Sequence, residues 1–254
     1  TVYFNRGGNL SNKISKLIIF LSSHLNLVFA TSTNQQSIIK RSGLLNKGAR
    51  CQVLFNPIEK LSLKYDNALK NSTFFTLGIV GYIDEGKNQL LALESLSLLI
   101  AKGHSVQLCI YGEANNEVYL QQLNEKIKQL NLTDIVKFRG FVKDKSKIYS
   151  EIDLLLSTSL AEGFGRTLVE AMLEKKPVVA LHCAGGPKDI ITSAKYGQLV
   201  DNDANSVADA IEHFITDPTY TEQVINDAFH YASNTFDPKT IAQQFISTIE
   251  KEVL

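Results

Sequence analysis

The feature that most constrains this chain is a change of period. From Phe74 onward, short runs of β-branched and apolar residues alternate with stretches whose apolar positions recur every three or four residues. That alternation specifies a parallel sheet covered by crossover helices. Strands are expected over 74–81, 106–111, 135–138, 153–158, 178–181 and 197–200, each apolar enough to be buried on both faces. Between them, Leu93, Leu96, Leu99 and Ile100 share one helical face, as do Leu120, Leu123, Ile127 and Leu130. Asp203, Asn205 or Ser206 can cap a helix running through Phe214; Pro218 begins another that ends near Asn234; Asp237-Pro238 opens a last one. Upstream, a helix over 12–24, a strand over 27–31, a helix over 35–41 and a strand over 52–55 form the tail of a separate α/β unit, closed by Asn56-Pro57. The expected organisation is a partial α/β unit over 1–57, a linker over 58–73, and a Rossmann-like doubly wound parallel sheet over 74–236. A final helix over 237–254 is long enough to return to the first unit.

Composition narrows the function classes. Lys plus Arg balance Asp plus Glu at 26 each, so no global field draws the chain to nucleic acid or anionic lipid, and any phosphate must be gripped locally. Tyr and Phe occupy core-like positions instead of interleaving with basic residues, which argues against a nucleic-acid stacking platform. Cys51, Cys109 and Cys183 are odd in number and widely spaced, which excludes a disulfide framework and points to a reducing, cytoplasmic setting. Apolar runs such as 17–21 and 98–101 are too short to span a bilayer. Lys13, Lys16, Lys40, Arg41, Lys47 and Arg50 offer a contact with a lipid surface, although such charges also serve as a solvated face. The chain starts at Thr1 without a leader, which leads us to expect a fragment of a longer enzyme.

The most informative window is S-L-A-E-G-F-G-R-T-L-V-E-A-M at 159–172, a strand-to-helix turn rich in glycine. Such a turn exposes backbone N–H groups to an anion or a sugar oxygen. Glu162 falls in the loop, and Glu170 about one turn into a helix beginning near Arg166 or Thr167. Amides and a cation suit a diphosphate, whereas acceptor-only carboxylates suit sugar hydroxyls. The residues alone leave a plainer reading open, in which Glu170 is a first-turn acid worth ~0.3–1 kcal/mol on the helix dipole and the glycines only shape a turn.

This window, with P-V-V-A at 177–180 and G-G-P-K-D-I-I at 185–191, resembles the signature of retaining glycosyltransferase family 4, of GT-B fold. The resemblance extends to V-G-Y-I-D-E-G-K-N-Q at 80–89, to I-Y-G-E at 110–113, to V-K-F-R-G-F-V at 136–142, to G-Q-L-V at 197–200, and to V-L-F-N-P-I-E at 53–59. It implies a donor-binding C-terminal domain that takes a UDP- or GDP-sugar without an obligatory metal or other cofactor, and transfers a hexose-type sugar to a glycan or lipid-linked acceptor. Cell-surface polysaccharide or glycoconjugate synthesis at the inner face of the membrane would be its setting.

Carried onto this chain, the resemblance makes Lys87 and Glu162 the catalytic pair. Gly81, Tyr82, Gly112, Arg139, Phe141, Gly163, Phe164, Gly165, Arg166, Thr167 and Glu170 join them in the donor site. Two departures stand out. Tyr82 occupies a position where the family commonly has Arg, so Arg166 or Arg139 must replace that cation, with Arg166 preferred; and Gly112 is followed by Glu113-Ala114-Asn115 without a second glycine. Asp201-Asn202-Asp203 has a metal-binding form but precedes a helix, and is expected to be a loop with an N-cap. The five histidines show no metal spacing; His182 is the one expected near the crevice. A nucleotide-sugar epimerase, a phosphorylase or a non-catalytic sugar-nucleotide-binding subunit remain rival readings.

Overall fold

A computed structural model describes residues 2–5, 27–43, 45, 47–61 and 73–252; the helix expected over 12–24 and most of the expected linker lie outside these residues. The main body is a six-stranded parallel sheet built from β4 (Phe75–Val80), β5 (Val106–Tyr111), β6 (Val136–Gly140), β7 (Leu154–Ser157), β9 (Val178–Leu181) and β11 (Gln198–Val200). Their order across the sheet is β6-β5-β4-β7-β9-β11, so the chain builds outward from β4 on one side and then returns to its other side. All six match the expected strands to within two residues.

Period-2 alternation explains why the inner strands are largely apolar; edge strand β6 departs from the expected burial on both faces, with residues 137–139 exposed. On one face Leu77, Ile79, Leu108, Ile110, Leu154, Leu156, Val179 and Leu181 enter a core completed by α2 (Gln89–Ala101), α3 (Glu117–Gln129) and α7 (Ala204–Thr216). On the other face Cys109, Tyr111, Leu155, Val178 and Ala180 join a second core with α4 (Lys145–Glu151), α5 (Arg166–Leu173) and α8 (Pro218–Thr235). Successive residues point to opposite sides, and both sides are covered over the inner strands. Asp203 caps α7 by accepting from the N–H of Asn205 and of Ser206, both at 3.0 Å, which gives the acidic triplet its expected structural role. Helix α4 carries no periodic signal long enough to read; it is set by its own cap, Asp144, and by burial of Ile148 and Tyr149.

At the amino end, β1 (Val2–Asn5), β2 (Leu27–Ala30) and β3 (Arg50–Val53) form a separate three-stranded parallel sheet, with α1 (Thr33–Arg41) between β2 and β3. Strand β3 lies two residues earlier than the expected 52–55, because its register pairs Leu27 with Arg50. Strand β1 was not expected. This sheet is joined to the main body through side chains. Thr33 donates from its N–H and its hydroxyl to Asp189 at 2.7 and 2.6 Å, and the last helix, α9 (Pro238–Glu252), places Phe245 5.4 Å from Phe29. Phe55 stacks into an aromatic cluster with Phe164 at 5.8 Å and Phe236 at 5.5 Å, and Phe236 reaches Tyr231 at 5.7 Å. The chain leaving the first sheet is pinned: the Ile58 N–H donates to the Phe236 carbonyl at 3.0 Å, and the Leu61 N–H to Glu174 Oε1 at 3.0 Å.

Two consequences are measurable. Phe236 is fully buried at the centre of the aromatic cluster. Phe236→Ala should therefore lower the unfolding free energy by about 3–5 kcal/mol in a denaturant titration. Glu174 is buried with one carboxylate oxygen unpartnered among the described residues, and burial pushes its carboxyl above the usual range despite the Leu61 N–H, Lys60 and Lys176. The native state then holds this proton more tightly than the unfolded chain, so its contribution is full below the unfolded value and is lost as pH rises through the native one. Glu174→Gln keeps an acceptor for Leu61, and its melting temperature should gain on the wild type as pH increases from 4 to 8.

Candidate functional site

The strand order reverses between β4 and β7, and in an open α/β sheet such a switch point leaves a crevice beyond the carboxyl ends of the strands. The loops that follow those two strands carry the expected catalytic pair. Lys87 is fixed by its backbone: its N–H donates to the Asp84 carbonyl at 3.1 Å and to Asp84 Oδ1 at 3.0 Å, and its carbonyl accepts from the Thr158 hydroxyl at 2.8 Å. The Leu160 N–H donates to the Gly86 carbonyl at 2.9 Å, which ties the loop after β4 to the loop after β7. Across this junction the Lys87 ammonium forms an ion pair with Glu162 Oε1, to which the Ser159 hydroxyl also donates at 2.9 Å.

Glu162 lies on β8 (Ala161–Glu162), which pairs with β10 (Ala184–Gly185). The approach is so close that a Cβ on Gly185 would stand 1.5 Å from the Glu162 carbonyl oxygen, and one on Gly186 would stand 1.8 Å from that of Phe164. A side chain at either position would displace the loop that aims Glu162. At the other end of the site, a Cβ on Gly112 would stand 2.0 Å from the Gly81 carbonyl oxygen. Close backbone approach after β5 is thus met by Gly112 alone, without the second glycine the family pattern supplies.

Beside Gly81 and Gly112 lies a cavity of about 430 Å³, walled by Tyr82, Tyr111, Phe141, Val142 and Lys145 among others. Tyr82 and Phe141 are 59% and 72% exposed at its rim. Gly81, which the Lys87 side chain approaches so closely that a Cβ there would stand 3.1 Å from it, and Lys145 both line the cavity. Lys145 forms an ion pair with Glu170 Oε1, while the Tyr149 hydroxyl donates to Glu170 Oε2 at 3.0 Å. Glu170 is only 4% exposed. A carboxylate buried to that degree is tolerable only with such partners, and removing one costs about 3–5 kcal/mol. Burial, and then the Glu170 charge, push the Tyr149 hydroxyl well above its ordinary value, so it stays a donor.

Helix α5 begins at Arg166, as the sequence places it, after Gly165 at φ 98°. No side chain caps it, so its first-turn amides are open to an anion. Arg166 is 62% exposed and 3.9 Å from Glu170. It also lines a second cavity of about 440 Å³ with Phe29, Phe55 and Asn56, where the small sheet meets the main body. Arg139, by contrast, is engaged with Glu151 at 2.6 Å, an oxygen that also accepts from the Tyr111 hydroxyl at 2.8 Å. Its charge is already engaged, whereas Arg166 is the more exposed of the two arginines expected to stand in for a cation at Tyr82.

Three expectations need correcting. The ring of Phe164 is buried in the aromatic cluster, so only its backbone can face a ligand. Arg139 is not in the cavity wall, for the reason just given. His182 opens onto a different, shallow cleft at the ends of β9 and β11, with Asp201 and His213. Cys183 stands nearer the catalytic pair; burial and the Glu162 charge push its thiol up, with Lys87 opposing. Lys145 and Tyr149 were missed. Among the lysines at 143, 145 and 147 nothing in the sequence marks one as the partner of Glu170, since that pairing exists only once α4 packs on α5.

Comparison with known proteins agrees with this geometry. Residues 64–231 match the family described as glycosyl transferases group 1. The chain is 29% identical over 189 residues to the poly(ribitol-phosphate) alpha-N-acetylglucosaminyltransferase of Staphylococcus aureus (strain COL), covering 73% of this chain and 37% of that protein. It is 27% identical over 245 residues to the N-acetylgalactosamine-N,N'-diacetylbacillosaminyl-diphospho-undecaprenol 4-alpha-N-acetylgalactosaminyltransferase of Campylobacter jejuni, covering 94% of this chain and 63% of that one. The chain therefore spans less than two thirds of these relatives. Among solved structures, Anabaena Alr3699/HepE in complex with UDP-glucose superposes with a TM-score of 0.84 at 26% identity, covering 98% of this chain and 72% of that chain. A doubly wound sheet with its loops meeting at the β4/β7 switch point, a family match over two thirds of the length, and GT-B neighbours together place this chain in the group 1 glycosyl transferases.

Proposed function

We propose that the protein containing this chain moves a hexose-type sugar from a nucleoside diphosphate sugar, UDP- or GDP-linked, onto a glycan or lipid-linked acceptor with retention of configuration. The observation that carries this reading is the pairing of two carboxylates with two lysines near the switch point, Lys145 in the wall of the cavity and Lys87 over the Gly81 that lines it, together with an uncapped helix start. The cavity takes the base between Tyr82 and Phe141. Glu170 accepts from the ribose hydroxyls, Lys87, Arg166 and the amides at 165–167 meet the diphosphate, and Glu162 accepts from the donor sugar.

On this assignment the developing charge on the leaving diphosphate is met by fixed cations and helix amides, so the reaction needs no metal. Transfer should survive a chelator. The alpha linkages in the relatives' names fit retention, their polymeric and undecaprenol-linked acceptors fit a glycan or lipid-linked acceptor, and the UDP-glucose complex of the Anabaena structure favours a uridine donor. A cytoplasmic enzyme with its cation-bearing amino-terminal side at the inner face of the membrane fits an acceptor of the second kind. Among the described residues no helix is long and apolar enough to cross a membrane.

A melting-temperature screen of UDP-, GDP- and ADP-sugars tests the donor class, because a ligand at a hundred times its Kd stabilises by ~2.7 kcal/mol. No shift with any UDP- or GDP-sugar would remove the proposal. Lys87→Ala should weaken nucleoside diphosphate binding by about tenfold or more, the worth of one charge-assisted contact. Glu162→Gln should reduce transfer by about a hundredfold in the full-length enzyme, as loss of a group that touches the reacting sugar does. The same variant should bind free UDP at least as well as the wild type, since Lys87 is then released from its internal partner.

A further inference from the structure

We infer that Lys145 is a positioning residue for nucleotide recognition, holding Glu170 in place for the ribose from the wall of the base cavity. The inference rests on the ribose role of Glu170 proposed above. Three groups touch or approach the Glu170 carboxylate, and they differ in where they stand. Tyr149 is buried beneath it, Arg166 faces the second cavity beside the small sheet, and Lys145 forms part of the wall that the nucleotide would meet.

The position of Lys145 is built in. It is the first residue of α4, whose cap Asp144 accepts from the Ser146 N–H at 3.1 Å and from its hydroxyl at 2.6 Å. The helix start therefore fixes where the lysine stem leaves the backbone. With Lys145 on Oε1 and Tyr149 on Oε2, each carboxylate oxygen keeps a lone pair for a hydroxyl, and the ammonium keeps N–H donors of its own. An exposed lysine on an exposed carboxylate would matter little. Here the carboxylate is buried and the cavity adjoins it, so losing the cation would leave a charge with one remaining hydrogen bond at the place where a hydroxyl must dock.

The test is calorimetric titration of the full chain with UDP, 2′-deoxy-UDP and 3′-deoxy-UDP, repeated with the guanosine set. The wild type should prefer the ribonucleotide by about tenfold over at least one deoxy analogue, the loss expected when a hydroxyl bonded to a charged group is removed. Lys145→Ala should weaken UDP by about that factor while leaving the deoxy analogue within about threefold of its wild-type affinity, so the preference collapses. Lys145→Arg should restore part of it. Lys147→Ala, which removes the next exposed cation of the same helix, should change nothing. Lys145→Met, which keeps the stem, replaces the alanine variant if that one melts early.

Equal weakening of UDP and its deoxy analogues by Lys145→Ala, or no weakening, overturns the inference. A wild type that binds UDP or GDP without preferring the ribose hydroxyls overturns it as well, while leaving the donor reading intact. A wild type that binds neither nucleotide removes the donor reading itself, and the role of Lys145 falls with it.

Discussion

The reversal of strand order between β4 and β7 is the constraint on which the rest of this molecule depends. Both faces of the inner strands are covered by helices, so the ends of those strands are where their backbone can meet a ligand. At β4 and β7 the connections diverge, one toward β5 and one toward β9, and the gap between them is occupied by Lys87 from one loop and Glu162 from the other. The hydrogen bonds from Thr158 and Leu160 to the Lys87 loop show that the gap is a fixed junction with a defined width. Chemistry placed there inherits the rigidity of two central strands.

That junction works because backbone approaches backbone closely at each end of the site. The Gly112 Cα sits against the Gly81 carbonyl, and Gly185 against that of Glu162, at distances a side chain would forbid. The first contact brings the ends of β4 and β5 together under the cavity; the second presses the loop bearing Glu162 onto the segment leading to α6 (Pro187–Ile190). Asp189 on that helix then receives Thr33 from the small sheet. The position of Glu162 and the seating of the amino-terminal unit are thus linked through one short stretch of chain.

The sheet and its helices were legible because they depend on local pattern. A strand apolar on both faces, a proline at a helix start and a carboxylate before a polar turn each announce themselves within a few residues. Asp203, Pro218 and Pro238 stand where the sequence puts them. The half of the site that follows a contiguous motif was legible too, and α5 starts at Arg166. What depends on packing was not. Lys145 finds Glu170 only when α4 lies against α5, Arg139 is claimed by Glu151 from the same neighbourhood, and the Phe164 ring turns inward because Phe55 and Phe236 offer it an aromatic pocket. A motif gives residue identity without side-chain direction.

Those pairings also explain how the site tolerates Tyr82 where a cation is common. The donor-free protein balances each inward carboxylate with a lysine, Glu162 with Lys87 and Glu170 with Lys145, so a third internal cation would have no partner. Arg166 supplies the remaining positive charge from outside that balance: it is largely exposed, held only loosely by Glu170, and stands on the first turn of a helix whose amides add to its field. On the assignment proposed above, an arriving diphosphate is offered Arg166 and the helix start at once, and it competes with Glu162 for Lys87. The second encounter is the selective one. On that assignment, a ligand that brings both phosphates and a sugar compensates Glu162 with hydroxyl donors for the ammonium it gives up, whereas a bare phosphate leaves it the Ser159 hydroxyl as its remaining partner among the described residues.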